Sequence, residues 1–186
     1  MRVISGSARG CKLYSLEGLD TRPTTDRIKE TLFNIISPEI YDCSFLDVFS
    51  GSGAIAIEAL SRGAKKAVLI EKSSEAVSVI NKNIEKTKVG DRAEVLKMDA
   101  LSAVEKLKGS GEKFDLVFMD PPYNNDLAWP VMKALKENNL LSEDALIVVE
   151  ESSSANIPAV EGFNMYRTKD FKTTVISFWN LEDTNA

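Results

Sequence analysis

Leu46-Asp47-Val48-Phe49-Ser50-Gly51-Ser52-Gly53-Ala54 reads as a strand, Phe45 to Phe49, that breaks at a glycine loop and resumes as a helix, Ala54 to Arg62. Missing side chains at this junction let a ligand approach the backbone and the helix N-terminus. A glycine loop by itself is a weak signal. Gly51 to Ala56 also fits the dinucleotide fingerprint Gly-x-Gly-x-x-Gly/Ala, and Glu71 follows about 20 residues on, where a ribose-binding acid belongs. Asp47 tilts the reading the other way. An acid just ahead of the glycines repels a pyrophosphate but suits the cationic ammonium of a methionine moiety.

Strands and helices alternate outward from this loop. After Ala67 to Glu71 comes a helix from Ser74 to Lys88 with Val77, Ile80 and Ile84 on one face; Ala93 to Met98 is the next strand and Leu101 to Lys108 a short helix. Phe114 to Met119, a helix from Leu127 to Asn138, and Ala145 to Glu150 continue the alternation. It implies a parallel sheet covered on both faces. Asn164 to Thr168 and Thr173 to Trp179 break it and read as an antiparallel hairpin at the sheet edge. The fold class expected is therefore α/β: a doubly wound, mostly parallel, Rossmann-like sheet.

In such sheets ligands bind at the carboxyl ends of the strands, where strand order reverses. The polar residues there are Asp47 with Gly51 and Gly53, then Glu71, then Asp99 with Ala100, then Asp120. Asp120 opens Asp120-Pro121-Pro122-Tyr123, which ends the apolar run Leu116-Val117-Phe118-Met119. The prolines fix the backbone behind the carboxylate and remove two N–H donors, leaving carbonyls free to accept. A flat heterocycle carrying an NH₂ group matches this set, its ring stacked on Tyr123 and its amino hydrogens on Asp120 and the Pro121 carbonyl. With Asp47, the same series fits S-adenosylmethionine: Glu71 for the ribose hydroxyls and Asp99 for the adenine amino group. The competing readings are a surface acid for Glu71 and a helix cap for Asp99.

Composition narrows the chemistry. The 186 residues contain no histidine, which excludes Ser-His-Asp and Cys-His catalysis, and two cysteines at no metal-binding spacing, so no metal is expected. No apolar run approaches membrane-spanning length and the amino terminus lacks a signal-peptide core, so a cytoplasmic protein with no membrane contact is expected. The net charge is −5, but residues 1–30 carry six basic and four acidic side chains, so positive charge is concentrated at the amino end.

That end reads as an extension, residues 1–20, ahead of a main domain, 21–186. Arg2-Val3-Ile4 and Lys12-Leu13-Tyr14 are strand-like runs around a glycine-containing loop, a hairpin too short to be stable alone. A turn from Thr21 to Asp26 leads into a helix from about Asp26 to Ile36.

Four segments carry a resemblance to a known family: Arg2-Val3-Ile4-Ser5-Gly6; Thr21-Arg22-Pro23-Thr24-Thr25-Asp26-Arg27 with Phe33-Asn34; Leu46 to Gly53 with Glu58-Ala59-Leu60-Ser61-Arg62-Gly63; and Phe114 to Tyr123. In order and over nearly the whole chain, the sequence resembles the RsmD family, bacterial enzymes that methylate N2 of one guanine in 16S ribosomal RNA. The resemblance implies a class I S-adenosylmethionine-dependent methyltransferase with an N-terminal β-hairpin. It implies Asp120, Pro121 and Tyr123 in catalysis, Asp47, Gly51, Gly53, Glu71, Asp99, Ala100 and Asp120 around the cofactor, and Arg2, Arg9, Lys12, Arg22 and Tyr123 on the RNA. The partner expected is 16S rRNA in a small-subunit assembly intermediate, met by a monomer. Cys11 and Phe171-Lys172 depart from the family pattern away from this site. The other readings are an amino-group methyltransferase of DNA adenine or protein glutamine, a nicotinamide oxidoreductase disfavoured by Asp47 and Asp120, and a non-catalytic RNA-binding module.

Overall fold

A computed structural model describes residues 1–16, 26–122 and 127–182. Its helices and strands are α1 (Asp26–Ile35), α2 (Ser37–Ile40), β1 (Ser44–Val48), α3 (Ala54–Ser61), β2 (Lys66–Glu71), α4 (Ser74–Thr87), β3 (Ala93–Lys97), α5 (Ala100–Leu107), β4 (Phe114–Met119), α6 (Ala128–Glu137), β5 (Leu141–Ser152), β6 (Phe163–Asp170) and β7 (Thr174–Leu181). One sheet runs in the order β3-β2-β1-β4-β5-β7-β6. The first five of these are mutually parallel; β7 pairs antiparallel with β5 and β6. Winding goes outward from β1 to β3 on one side and from β4 to β5 on the other. The switch point therefore lies between β1 and β4.

The central strands β1, β2 and β4 are buried over most of their length, as the apolar runs Phe45-Leu46, Ala67 to Ile70 and Leu116 to Met119 require for a sheet covered on both sides. Alternate residues feed two cores. Phe45, Leu69, Leu116 and Phe118 meet α1, α3 and α4. Leu46, Val68, Val117 and Met119 meet α5 and α6 on the other face.

Helix ends follow local chemistry. Ser73 caps α4 through Ala76 N–H, and Lys88 ends that helix in the left-handed region at φ +56°. The short α2, unanticipated in the sequence, begins beside Pro38, whose fixed φ suits a first helical turn. Strand β5 starts at Leu141 instead of Ala145. Its first residues pair with Phe114 across a register irregularity, so polar Ser142, Glu143 and Asp144 hide the start of the strand from an apolar-run reading.

The amino-terminal segment corrects the expectation of two short strands. Only one bridge forms, Arg2 opposite Lys12, flanked by the bonds Val3 N–H to Cys11 O and Gly10 N–H to Val3 O. The physical reason is that the donors of Ile4, Ser5, Ser7 and Ala8 go to α3 instead. Glu58 accepts from Ile4 and Ser5; the Ser61 carbonyl and hydroxyl accept from Ser7 and Ala8. Glu58 is also paired with Lys29 at 3.2 Å and Arg62 at 2.8 Å. Val3 and Leu13 are buried in the same core as Leu32 and Phe33 of α1. The expected boundary at residue 20 lies outside the described residues.

Candidate active site

β1 delivers Asp47 toward α3, where it is 1% exposed and its Oδ2 accepts the Ala56 N–H at 3.2 Å. Burial pushes its carboxyl up to about 7, against the Ala56 hydrogen bond and with help from nearby Glu71. After Val48 the chain turns at Phe49, held at φ +66° although it has a side chain. A bulky residue in this region costs on the order of 1–3 kcal/mol and is a frequent mark of a functional turn. The Phe49 ring packs against the core shared with α5 and α6.

The glycine loop follows. Gly51 has φ +57°, and a Cβ built there would meet no atom within 4 Å, so its outer side is open space against the backbone. Gly53, at φ +75°, is closed in instead: a Cβ would lie 3.1 Å from Leu69 and 3.4 Å from Ile80. One glycine thus leaves room for a ligand and the other for close packing. The loop is fastened from two directions. Glu71, at the end of β2, accepts from Gly51 N–H at 2.9 Å and from Ser73 N–H at 2.8 Å. Asn83 of α4, fully buried, donates to the Ser52 carbonyl at 2.9 Å.

Asp99 is the N-cap of α5, its Oδ1 accepting the Ser102 N–H at 3.0 Å. Hydrogen bonds from the Ser102 side chain and backbone hold this exposed carboxyl below its usual range. The capping role is therefore filled, with Asp99 at the end of β3 on the same edge of the sheet as Glu71. Ala100, buried, is the first residue of α5.

Asp120 follows β4, whose register sets Val48 beside Met119 and Met119 beside Val149. It therefore lies level with Phe49 on one side and Glu150 on the other. Burial holds its carboxyl well above the ordinary range, with further pushes from Glu150, Asp47 and Glu151. Pro121 is buried and Pro122 exposed. Sequence reading missed Glu150 and Glu151; the signal was available, since they end the apolar run Leu146 to Val149 as Asp120 ends Leu116 to Met119. It also missed Phe49 and Asn83, whose roles depend on φ and on contacts distant in sequence.

The structure brings Asp47, Gly51, Gly53, Glu71, Asp99, Ala100, Asp120 and Pro121 to one edge of the sheet. Tyr123 and Arg22 lie outside the described residues. Arg2, Arg9 and Lys12 are exposed on the amino-terminal hairpin, and Arg2 stands 3.8 Å from Asp26. Arg9 belongs to the loop that packs on the C-terminal end of α3, a helix of 8 residues and thus ~12 Å from the glycine loop. The other end of the hairpin is tied to that loop through Asn83, which accepts from Tyr14 N–H at 2.8 Å, donates to Tyr14 O at 3.0 Å and also holds the Ser52 carbonyl.

An open, mostly parallel sheet with a glycine loop at its switch point, acids at the neighbouring strand ends and an antiparallel β7 between β5 and β6 is a class I methyltransferase, Rossmann-like fold. The chain belongs to the family described as Conserved hypothetical protein 95, whose model matches residues 1–180. It is 37% identical over 179 residues to Ribosomal RNA small subunit methyltransferase D of Haemophilus influenzae, covering 96% of this chain and 91% of that one. The solved structure of yhhF from Escherichia coli superposes with a TM-score of 0.86 at 37% identity, over 98% of both chains. SMU.776, solved with SAH, shares the fold at 12% identity (TM-score 0.66, 81% of this chain and 48% of that one). The resemblance to the RsmD family carried by the motifs is borne out by these matches. Among the described residues no helix is long and apolar enough to cross a membrane.

Proposed function

We propose that this protein transfers a methyl group from S-adenosylmethionine to the exocyclic N2 of a specific guanine in 16S ribosomal RNA. The observation that carries the reading is Asp120-Pro121-Pro122 at the end of β4, level with Phe49 and Glu150 at the switch point of a chain whose relatives are ribosomal RNA methyltransferases.

The strand-end residues fit the cofactor. The open side of Gly51 admits a ligand against the backbone, and the buried Asp47 and half-buried Asp120 favour a cation in their midst. Asp47 and the glycine loop would hold the amino-acid end, Glu71 the ribose, Asp99 and Ala100 the adenine. When bound, S-adenosylmethionine supplies an electrophilic methyl group on a cationic sulfur.

Guanine N2 is a poor nucleophile because its lone pair is delocalised into the ring. Asp120 and the Pro121 carbonyl accept its two hydrogens, which favours a pyramidal nitrogen and orients the lone pair; this is catalysis by positioning and preorganised charge. Tyr123 stacks on the base, which must leave its surroundings to reach the pocket. Asp120 takes the proton that N2 loses, a role suited to a carboxylate whose desolvated, acid-lined setting raises its proton affinity. Arg2, Arg9, Lys12 and Arg22 contact RNA phosphates, and the substrate is a small-subunit assembly intermediate met by a monomer.

The test is transfer of labelled methyl groups to protein-free 16S rRNA and to small-subunit particles from cells lacking the gene, compared with DNA and with protein, with mass mapping of the product. A single N2-methylguanine is expected. Incorporation only into DNA adenine or protein glutamine would replace this reading with the amino-group alternative that shares the proline turn.

A further inference from the structure

The amino-terminal hairpin has a buried side and an exposed one. Val3 and Leu13 point into the core, whereas Arg2, its bridge partner Lys12, and Tyr14 two residues further on are exposed. Opposed residues of an antiparallel pair, and alternate residues along a strand, share a face. Arg2, Lys12 and Tyr14 therefore line one outer surface. Helix α4 adds Lys86, whose Nζ lies 4.4 Å from the centre of the Tyr14 ring.

Whereas Leu13 next to it and Val3 across the hairpin are buried, Tyr14 is 51% exposed with Lys86 alongside. Its backbone, by contrast, is fixed at both polar groups by the amide of Asn83, and the same amide holds the Ser52 carbonyl in the glycine loop. A rigid backbone, an open aromatic face and flanking ammonium groups are the parts of a single-strand nucleic-acid contact: the ring stacks a base and the lysines meet phosphates. The surrounding chain is acidic overall, so a basic, aromatic surface beside the cofactor loop matches a polyanion better than an acidic or neutral protein face.

We infer that the Tyr14 ring, flanked by Lys12 and Lys86, is a stacking platform for an unpaired base of the RNA outside the target pocket, held at fixed distance from the cofactor loop by Asn83. The inference rests on the reading of RNA as substrate and adds where the strand is gripped. The platform fixes the RNA relative to the glycine loop, so a base stacked there sets which neighbouring nucleotide can reach Asp120.

Equilibrium binding of protein-free 16S rRNA and of small-subunit particles to wild type, Tyr14→Ala, Tyr14→Phe and Tyr14→Trp tests it, with ultraviolet cross-linking to locate the contact. S-adenosylhomocysteine affinity and thermal melting serve as folding controls. Tyr14→Ala is expected to weaken RNA binding roughly tenfold, whereas Phe and Trp retain it and Trp at this position is quenched by RNA. Alanine within twofold of wild type, phenylalanine as weak as alanine, or cross-links from residue 14 to a ribosomal protein and none to RNA would each overturn the platform. Binding is read without methyl transfer, so the two readings separate. Tyr14-dependent binding without any methylation of rRNA supports the platform and removes the proposed reaction; methylation that ignores Tyr14→Ala does the reverse. Absence of RNA binding by wild type removes both.

Discussion

Glu71 Oε2 accepts the Gly51 N–H at 2.9 Å, so the acid at the end of β2 holds the loop that leaves β1. The same carboxylate takes Ser73 N–H through its other oxygen, and so sets both the loop and the start of α4. A carboxylate that holds the loop and, in the role proposed for it, also meets a ribose should be sensitive to loss of either oxygen. Glu71→Gln leaves one acceptor for two N–H groups, and Glu71→Ala leaves none. Hydrogen bonds to a charged acceptor contribute about 1.5–3 kcal/mol, so Glu71→Ala is expected to weaken S-adenosylhomocysteine binding roughly 10- to 100-fold, with Glu71→Gln between it and wild type. Titration calorimetry measures this directly.

Asp47 gives the empty protein a pH dependence of defined sign. Its carboxyl titrates at about 7 when folded, above the ~4 of an unfolded chain. Below about pH 4 both states are protonated and nothing is lost; between about 4 and 7 the folded chain holds the extra proton, so stability falls as pH rises and levels off above. Asp120, shifted in the same direction, adds to the effect. The melting temperature without cofactor should therefore drop from about pH 4 to about pH 7, and Asp47→Asn should flatten that drop while keeping an oxygen for Ala56 N–H. A cationic ligand favours the carboxylate forms, so S-adenosylmethionine should bind more tightly across the same interval, and neutral-sulfur S-adenosylhomocysteine less steeply.

The fold was legible because a sheet buried on both faces writes its strands as plain apolar runs: Phe45 to Phe49, Ala67 to Glu71 and Phe114 to Met119 differ from the observed strands by one residue or none at each end. The strand-end acids were legible for the same reason, since a charge that ends such a run stands out. Glu150 ends one too but is followed by a second acid and serines, and so resembles an ordinary polar loop. What could not be read were features set by distant contacts. Asn83 looks like one more polar residue on a helix until Tyr14 and Ser52 are placed around it, and Glu58 looks like a surface acid until four partners converge on it. The left-handed turn at Phe49 carries no mark in the sequence, since glycine is what that conformation favours.

Glu58 accepts from two backbone donors of the hairpin while paired to Lys29 and Arg62, with its side chain and that of Lys29 fully buried. Removing one member of such a group leaves a buried charge unpaired, at a cost of about 3–5 kcal/mol. Glu58→Ala should lower unfolding stability by that order in urea titration. Gly6→Ala attacks the same junction without touching a charge: a Cβ there would sit 1.7 Å from the Ser61 carbonyl oxygen, at a φ of +83°. Its expected signature is faster hydrogen exchange at Ser7 and Ala8 with the sheet unchanged.

The position of the basic residues along the hairpin separates their contributions to RNA affinity. Lys12 lies two residues from Tyr14, at the end of the hairpin that Asn83 ties to the glycine loop, whereas Arg9 lies toward the C-terminal end of α3. Each phosphate contact removed lowers the slope of log K against log salt by ~0.7–0.9. Lys12→Gln and Arg9→Gln should each show that decrement, and the pair their sum, if both meet phosphates.

In the proposed reaction Asp120 does two things: it accepts a hydrogen bond from the base and takes its proton. Three variants distinguish them. Asp120→Ala removes both, and loss of a preorganised polar group at a reacting centre costs roughly 10²- to 10³-fold in kcat. Cofactor affinity should change little, because S-adenosylhomocysteine carries no charge on sulfur and Asp47 and Glu71 remain. Asp120→Asn keeps a carbonyl acceptor but cannot hold the proton, so its rate should lie between wild type and alanine. Asp120→Glu keeps both chemistries and displaces them by a methylene, which tests positioning alone. The pH profile gives the decisive signature. Burial and the neighbouring acids hold the wild-type carboxyl well above the ordinary range, so its rate should fall on acidification at an unusually high pH for an aspartate. That limb should be absent from Asp120→Asn, whose residual rate then depends on water to remove the proton.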